Sequence, residues 1–247
     1  MNSEDFQAEA DRLRAQRGIL SRFSSHALRA TGLDELLFEA CRLVSDALDI
    51  ELVKVLELLP HEDKMLVRAG VNWNEGVVGY ATFGAHERSP SGYALQTDEP
   101  VVSADVARED RFDIPELLID HGVKSMVNVV VRGEQGNWGV LEVDARCRRD
   151  FDRDETEFLQ NYANVLSAAI ERMQLHRQLE AKVRENEIMA GELQHRVKNL
   201  LANVQALAHR TCATSQDMGH FTEAFDRRLA VLDRTQDILA AGQEVGI

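Results

Sequence analysis

The sequence is short of cysteine, of positive charge and of long apolar runs, and each shortage removes a class of function. Its three cysteines, Cys41, Cys147 and Cys212, form no CxxC pair and are odd in number. Neither a zinc knuckle nor a disulfide framework is therefore expected, and a reducing compartment fits. Lys and Arg number 28 against 42 Asp and Glu, a formal net charge of -14. Nucleic acid or an anionic membrane as partner would require clustered cations to neutralise phosphates, so neither is expected. No apolar stretch approaches the ~20 residues that span a bilayer, and the amino terminus MNSEDFQAEADRLRAQR has no apolar targeting core, so a cytoplasmic location is expected. The chain has no GxxxxGK, no HExxH and no nucleophile elbow. The acidic run Asp150–Glu157 begins like a calcium loop. It has Glu155 where the turn glycine belongs and Asn161 where the bidentate Glu belongs, so it reads as a charged helix start.

What is present is enough apolar surface for a core, 44% of 247 residues, arranged with two different periods. Residues 4 to about 30 have Phe6, Leu13 and Leu20 seven apart, with Ile19 and Phe23 widening the stripe. This predicts a helix that either covers its own domain or forms a dimer seam. After Thr31–Gly32, a second helix is predicted from Leu33, Leu36, Leu37, Ala40, Cys41, Val44 and Leu48, with Cys41 a small core residue. Strand alternation then predicts two hairpins. One joins Ile50–Leu58 to Lys64–Val71 through residues 60–63; the other joins Ser125–Arg132 to Trp138–Ala145 through residues 133–136. Between them lies a glycine-bearing stretch with short helical pieces such as Pro115–His121. Asp152 and Glu155 form a candidate capping box, and no proline or glycine follows until Gly191.

The string GVVGYATFGAHERSPSGYALQTDEPVVSADVAREDRF, then LLIDHGVKSMVNVVV and GVLEVDA, resembles a GAF domain over about residues 30 to 172. The resemblance implies an α+β sensor fold. Relatives bind cyclic nucleotides, bilins, haem, other small molecules or nothing, so the ligand is unknown. Trp73, Tyr80, Phe83, Tyr93, Phe112 and Trp138 are candidates to line a ligand pocket, with core packing as the alternative. No cysteine falls between Trp73 and Phe112, which argues against covalent bilin attachment. His86 and His121 are read as loop histidines in preference to haem or metal ligands.

Leu179, Val183, Asn186, Ala190, Leu193, Val197, Leu200, Val204 and Leu207 follow a 4,3 spacing that marks a heptad seam. Upstream, Tyr162, Leu166, Ala169 and Met173 keep a seam, but Met173 to Leu179 is six residues, so the phase slips there. Thr211–Gly219 reads as a turn before a second amphipathic helix with Phe221, Phe225, Leu229, Leu232 and Leu239. The predicted whole is an α+β domain, a long coiled-coil helix and an all-α helical hairpin that dimerises into a four-helix bundle. The expected divisions are 1–30 (N-terminal helix), 31–172 (sensor), 173–190 (coiled-coil linker) and 191–247 (dimerisation and phosphotransfer).

His195 lies two residues from Leu193 and two from Val197, so it points away from the seam, sharing its face with Glu192, Lys198 and Asn199. Phosphoryl transfer needs such an exposed, uncharged imidazole, although a solvated surface histidine has the same placement. The string ELQHRVKNLLANVQALAHRT, residues 192–211, resembles the histidine box of the HWE family of sensor kinases. By that resemblance His195 accepts the ATP γ-phosphate and passes it to a response-regulator aspartate. Residues 225–240 (FDRRLAVLDRTQDILA) resemble the second helix of the phosphotransfer module. Asn199 takes the place that orients water for dephosphorylation, and Arg196 stands where commoner kinase families carry an acid. Glu192 or a group from another domain would replace that acid. No string for an ATP lid is present, so the chain itself is expected to hold no cofactor. ATP and magnesium would be held by a catalytic domain outside it. The alternatives are a non-catalytic ligand-binding dimerisation module and a natural histidine phosphotransfer protein.

Overall fold

The computed structural model describes residues 3–244 except 60, 61, 87 and 135, and side chains within residues 13–233. Of the predicted features, Pro60, His61 and Gln135 of the two turns and the side chains of Phe6 and Leu239 lie outside the described residues. The chain divides into two compact units, Met1–Arg177 and Gln178–Ile247.

The first unit begins with α1 (Ser3–Ala27) and α2 (Leu33–Leu48). Helix α2 buries Leu36, Leu37, Ala40, Cys41, Leu43, Val44 and Leu48 along one face and ends where Asp49 turns left-handed at φ 51°. Strands β1 (Leu52–Leu59) and β2 (Lys64–Val71) form the first hairpin; β3 (Thr82–Gly84), α3 (Pro90–Thr97), β4 (Val101–Ser103) and α4 (Glu116–Asp120) make the crossover. β5 (Ser125–Gly133) and β6 (Gly136–Ala145) form the second hairpin. All pairings are antiparallel, and the sheet order is β3-β2-β1-β6-β5-β4.

The next helix, α5 (Arg153–Thr214), closes this unit with its first turns. Its start is the capping box expected from the sequence. The Glu155 N–H donates to Asp152 Oδ1 at 2.8 Å, and the Asp152 N–H donates to Glu155 Oε2 at 3.2 Å. Leu159, Tyr162, Ala163, Leu166, Ile170 and Met173 are buried with Val53, Val55, Val127, Val129, Leu141 and Val143 of the sheet and the inner face of α2. Phe23 of α1 is fully buried and stacks on Tyr162, ring centroids 4.4 Å apart. Tyr162 Oη donates to the Ala40 carbonyl at 3.3 Å, and Arg172 donates to the Ala27 carbonyl at the end of α1 at 2.8 Å. Burial holds the Tyr162 hydroxyl well above its usual pKa and pushes the Cys41 thiol up to about 12. Helix α1 thus covers its own domain, with Ile19, Phe23 and Ala27 in the core.

The other sheet face is covered by α3, α4 and the crossover loops. Leu52, Met126 and Val130 meet Ala94, Phe112 and Leu118 there, and Leu56 and Val140 meet Met65, Val67 and Val77. Both faces of the central strands are therefore buried, as in sheets sandwiched between helices.

In the second unit α5 runs on to Thr214, farther than the expected turn from Thr211. The hydroxyls of Thr211 and Thr214 donate back to the carbonyls of Leu207 and Arg210, which keeps both residues compatible with helix. Helix α6 (Met218–Glu244) starts after Asp217, whose Oδ1 accepts the His220 N–H. Thr211 is fully buried and accepts from Arg228 of α6 at 3.0 Å. A groove of about 630 Å³ lies between the helices, lined by Leu200, Val204, Leu229 and Leu232 with Asp226 and Asp233.

Because Phe23 carries the largest buried contact of α1, Phe23→Ala is expected to cost about 3–5 kcal/mol of stability. Urea unfolding followed by far-UV circular dichroism measures it. A loss under about 1 kcal/mol would show that α1 is not part of this core.

Candidate functional site

On α5, every residue from Gln174 to Asn203 is exposed. His195 stands within this stretch together with Glu192, Lys198 and Asn199, the four side chains that the sequence placed on one face. One contact among them is defined: the Asn199 amide nitrogen lies 3.3 Å from His195 Nδ1. The outer nitrogen, Nε2, is left as the one without that neighbour. Leu179, Val183, Leu193, Val197 and Leu200 are exposed apolar side chains on the same helix.

A second constellation lies inside the first unit, on the sheet face beneath α3 and α4. Lys54 of β1 is opposite Glu142 of β6, which is opposite Asn128 of β5, with Asp144 two residues further along β6. All four are at most 2% exposed. Lys54 Nζ is 2.7 Å from Glu142 Oε1 and 2.7 Å from Asp144 Oδ2, and lies 4.4 Å from the centre of the Trp73 ring. Trp73 Nε1–H donates to the Val53 carbonyl at 3.0 Å. Burial opposes the Lys54 charge, but Asp144 and Glu142 outweigh it and its pKa is raised. Asp144 is held well above the usual carboxylate range, first by burial and then by the neighbouring Glu142, against the pull of Lys54.

The six aromatic candidates do not gather into one pocket. Trp73 and Phe83 face the polar row and the void beside it. Tyr93 and Phe112 pair with each other at 5.7 Å in the core beneath α3. Tyr80 is 81% exposed. Trp138 packs against the opposite, helical face. The cause is a bulge: Val131 pairs with Gly139 and Arg132 with Asn137, so Trp138 is the extra residue and leaves the alternation.

His121 is buried, and both ring nitrogens face backbone. Nδ1–H donates to the Leu117 carbonyl at 2.8 Å and Nε2 accepts the Asn74 N–H at 3.2 Å, leaving no lone pair for a metal. Among the described residues there is no metal-like group of His, Cys, Asp and Glu, and no helix is long and apolar enough to cross a membrane.

Sequence reading passed over Lys54, Asn128, Glu142 and Asp144. The available signal was charge at alternate positions in strands whose other residues are apolar on both sides, as in LVKVL and GVLEVDA.

The GAF domain family model matches residues 32–170, more than half of the chain. The chain belongs to the GAF domain family. After the GAF domain, residues 192–247 match the model for HWE histidine kinase, so the chain joins a GAF domain to a histidine-kinase segment. Solved structures agree on the fold. The GAF domain from an Acinetobacter phosphoenolpyruvate-protein phosphotransferase is 21% identical, with a TM-score of 0.58 over 66% of this chain and 97% of that one. The corresponding Coxiella burnetii domain is 16% identical, with a TM-score of 0.61 over 67% and 98%. A free methionine-R-sulfoxide reductase from Neisseria meningitidis in complex with its substrate is 17% identical, with a TM-score of 0.57 over 65% and 91%. No curated protein matches the chain.

The raised Asp144 pKa in the GAF domain gives a signed pH dependence. The charged groups facing Asp144 are Lys54 and Glu142. The folded chain holds the Asp144 proton more tightly than the unfolded chain, so ionising it costs stability. That cost is absent below the usual carboxylate range and complete once pH has passed the elevated value. Asp144→Asn avoids it. The stability of the variant relative to the parent is expected to rise from about pH 5 to about pH 8 in urea melts, and a constant or falling difference would contradict the buried ionisation.

Proposed function

We propose that this chain is the sensory and phosphoacceptor part of a two-component histidine kinase, working in the cytoplasm as a homodimer. The observation that carries the reading is the union of a GAF domain with the HWE histidine-kinase match, whose first turns contain His195 on an exposed helix face.

In this reading the Nε2 lone pair of His195 attacks the γ-phosphorus of magnesium-ATP held by a catalytic ATP-binding domain outside these residues. The N–P bond forms, the bond to the β–γ bridging oxygen breaks, and ADP leaves with the electron pair. The phosphoryl group then passes to a response-regulator aspartate, restoring the imidazole. The contact runs from the Asn199 amide nitrogen to Nδ1, which leaves the imidazole proton on Nε2. Asn199 would support the first step once its amide turns over to present Oδ1 to Nδ1–H, the tautomer in which the Nε2 lone pair is free. This role answers the basic Arg196 at the place of the usual acid. Glu192 and Lys198, one turn either side, would shape the approach of the γ-phosphate and of the regulator. The exposed apolar side chains from Leu179 to Leu200, together with the groove against α6, support a homodimer that covers them with a second copy. The end of burial on α5 at Met173 supports a coiled-coil linker that begins there, at 173–190.

Incubation with a histidine-kinase catalytic domain supplied in trans and magnesium-ATP is expected to label the chain with an acid-labile, base-stable phosphate. His195→Gln is expected to abolish the label and His209→Gln to retain it. Labelling that survives His195→Gln would overturn the assignment.

A further inference from the structure

We propose that Gly191 is a specificity-determining position for phosphoryl transfer: the side chain it lacks keeps one flank of His195 open, and the ATP γ-phosphate reaches Nε2 across that flank. This deepens the function above and rests on His195 being the phosphoacceptor.

The fold does not require glycine at 191. Gly191 is the one glycine in the 62 residues of α5. Inside a helix, glycine in place of alanine lowers stability, because it gives up the most backbone freedom on folding. Other glycines of this chain answer a local need. A Cβ on Gly92 or Gly139 would lie 1.9 Å from a backbone oxygen, and Gly76, Gly79, Gly122 and Gly136 have positive φ. Gly191 is helical, has no positive φ, and a Cβ built on it would meet nothing within 4 Å. Gly18 of α1 is open in the same way, so an open helical glycine is not by itself a site. What sets Gly191 apart is that it lies four residues before His195.

Residues three and four apart share a helix face, so the side chains flanking His195 belong to positions 191, 192, 198 and 199. A helical side chain leans toward the N-terminus, which directs residue 195 toward the turn that contains Gly191 and Glu192. Toward the C-terminus the flank is filled. Asn199 places its amide nitrogen 3.3 Å from Nδ1, and Lys198 belongs to the same flank. Toward the N-terminus Glu192 carries a carboxylate, which repels a triphosphate, and Gly191 carries nothing. The unobstructed approach to Nε2 therefore passes over Gly191. Transfer needs Nε2, the phosphorus and the β–γ bridging oxygen in line, so that the N–P bond forms as ADP departs with the electron pair of the broken P–O bond. Such a line tolerates little displacement. A side chain at 191 would stand beside the imidazole, since Cβ atoms four residues apart on a helix are about 5–6 Å from each other.

The test is the initial rate at which a histidine-kinase catalytic domain with magnesium-ATP labels the intact chain, in the parent, Gly191→Ala and Gly191→Leu. Both substitutions introduce good helix formers, so each is expected to raise Tm by about 2–4 °C. They differ in bulk. Gly191→Ala is expected to stay within about twofold of the parent rate and Gly191→Leu to fall at least about tenfold. Potassium phosphoramidate, a phosphoryl donor small enough to need no such path, is expected to label His195 in Gly191→Leu at the parent rate. Equal slowing of Gly191→Ala and Gly191→Leu would assign the glycine to helix flexibility and overturn the proposal. An unchanged ATP-dependent rate in Gly191→Leu, a lowered Tm in Gly191→Ala, or an equal loss with phosphoramidate would overturn it too. Label on the parent that His195→Gln removes establishes the acceptor, so a failure at Gly191 is then distinct from a failure of the phosphoacceptor reading. An unlabelled parent overturns both.

Discussion

A sheet covered on both faces must supply an internal partner for every polar side chain its central strands carry, because no water reaches them. In this protein α1, α2 and α5 cover one face and α3, α4 and the crossover cover the other, so β1, β5 and β6 are closed from both sides. Apolar residues meet that constraint over most of the sheet. Lys54, Glu142 and Asp144 meet it by pairing with each other, and Asn128 beside them does not. An all-apolar row would pack here at no electrostatic cost, whereas Lys54, Glu142 and Asn128 share one register line, with Asp144 two residues further along β6, and concentrate polarity inside the sheet.

The same need for cover explains α5. Its first turns bury Leu159, Tyr162, Leu166, Ile170 and Met173 against the sheet and the neighbouring helices. Beyond Met173 its side chains are exposed through Asn203, and its apolar residues there keep heptad spacing without a cover among the described residues. One helix therefore begins as a core element of the GAF domain and carries His195 later in its length. The six-residue step from Met173 to Leu179 falls at this change of environment.

Much of this was readable from the sequence, for physical reasons that also explain what was not. The capping box at Asp152, the apolar face of α2 and the two hairpins rest on local spacing, and local spacing survives folding. Residues that depend on long-range register were harder. Trp138 lies on the helical side because of a one-residue bulge, which alternation alone does not reveal. Tyr80 was grouped with a pocket and is on the surface. Lys54, Glu142 and Asp144 look like the solvated edge of a strand until α3 and α4 are known to lie over them. His195 presents the reverse case: its exposure follows from helical phase, but its chemistry is carried by the string around it and not by any feature of its surroundings.

The contact between Asn199 and His195 Nδ1 makes the central claim checkable at a single atom. Long-range nitrogen–proton correlation spectra of the chain, labelled on imidazole nitrogen and phosphorylated by a supplied catalytic domain, report which ring nitrogen bears phosphorus. Phosphate on Nε2 of His195 is the result expected from an acceptor whose Nδ1 is shielded by Asn199 and whose Nε2 is clear of that neighbour. Phosphate on Nδ1, or on a histidine other than His195, would contradict it.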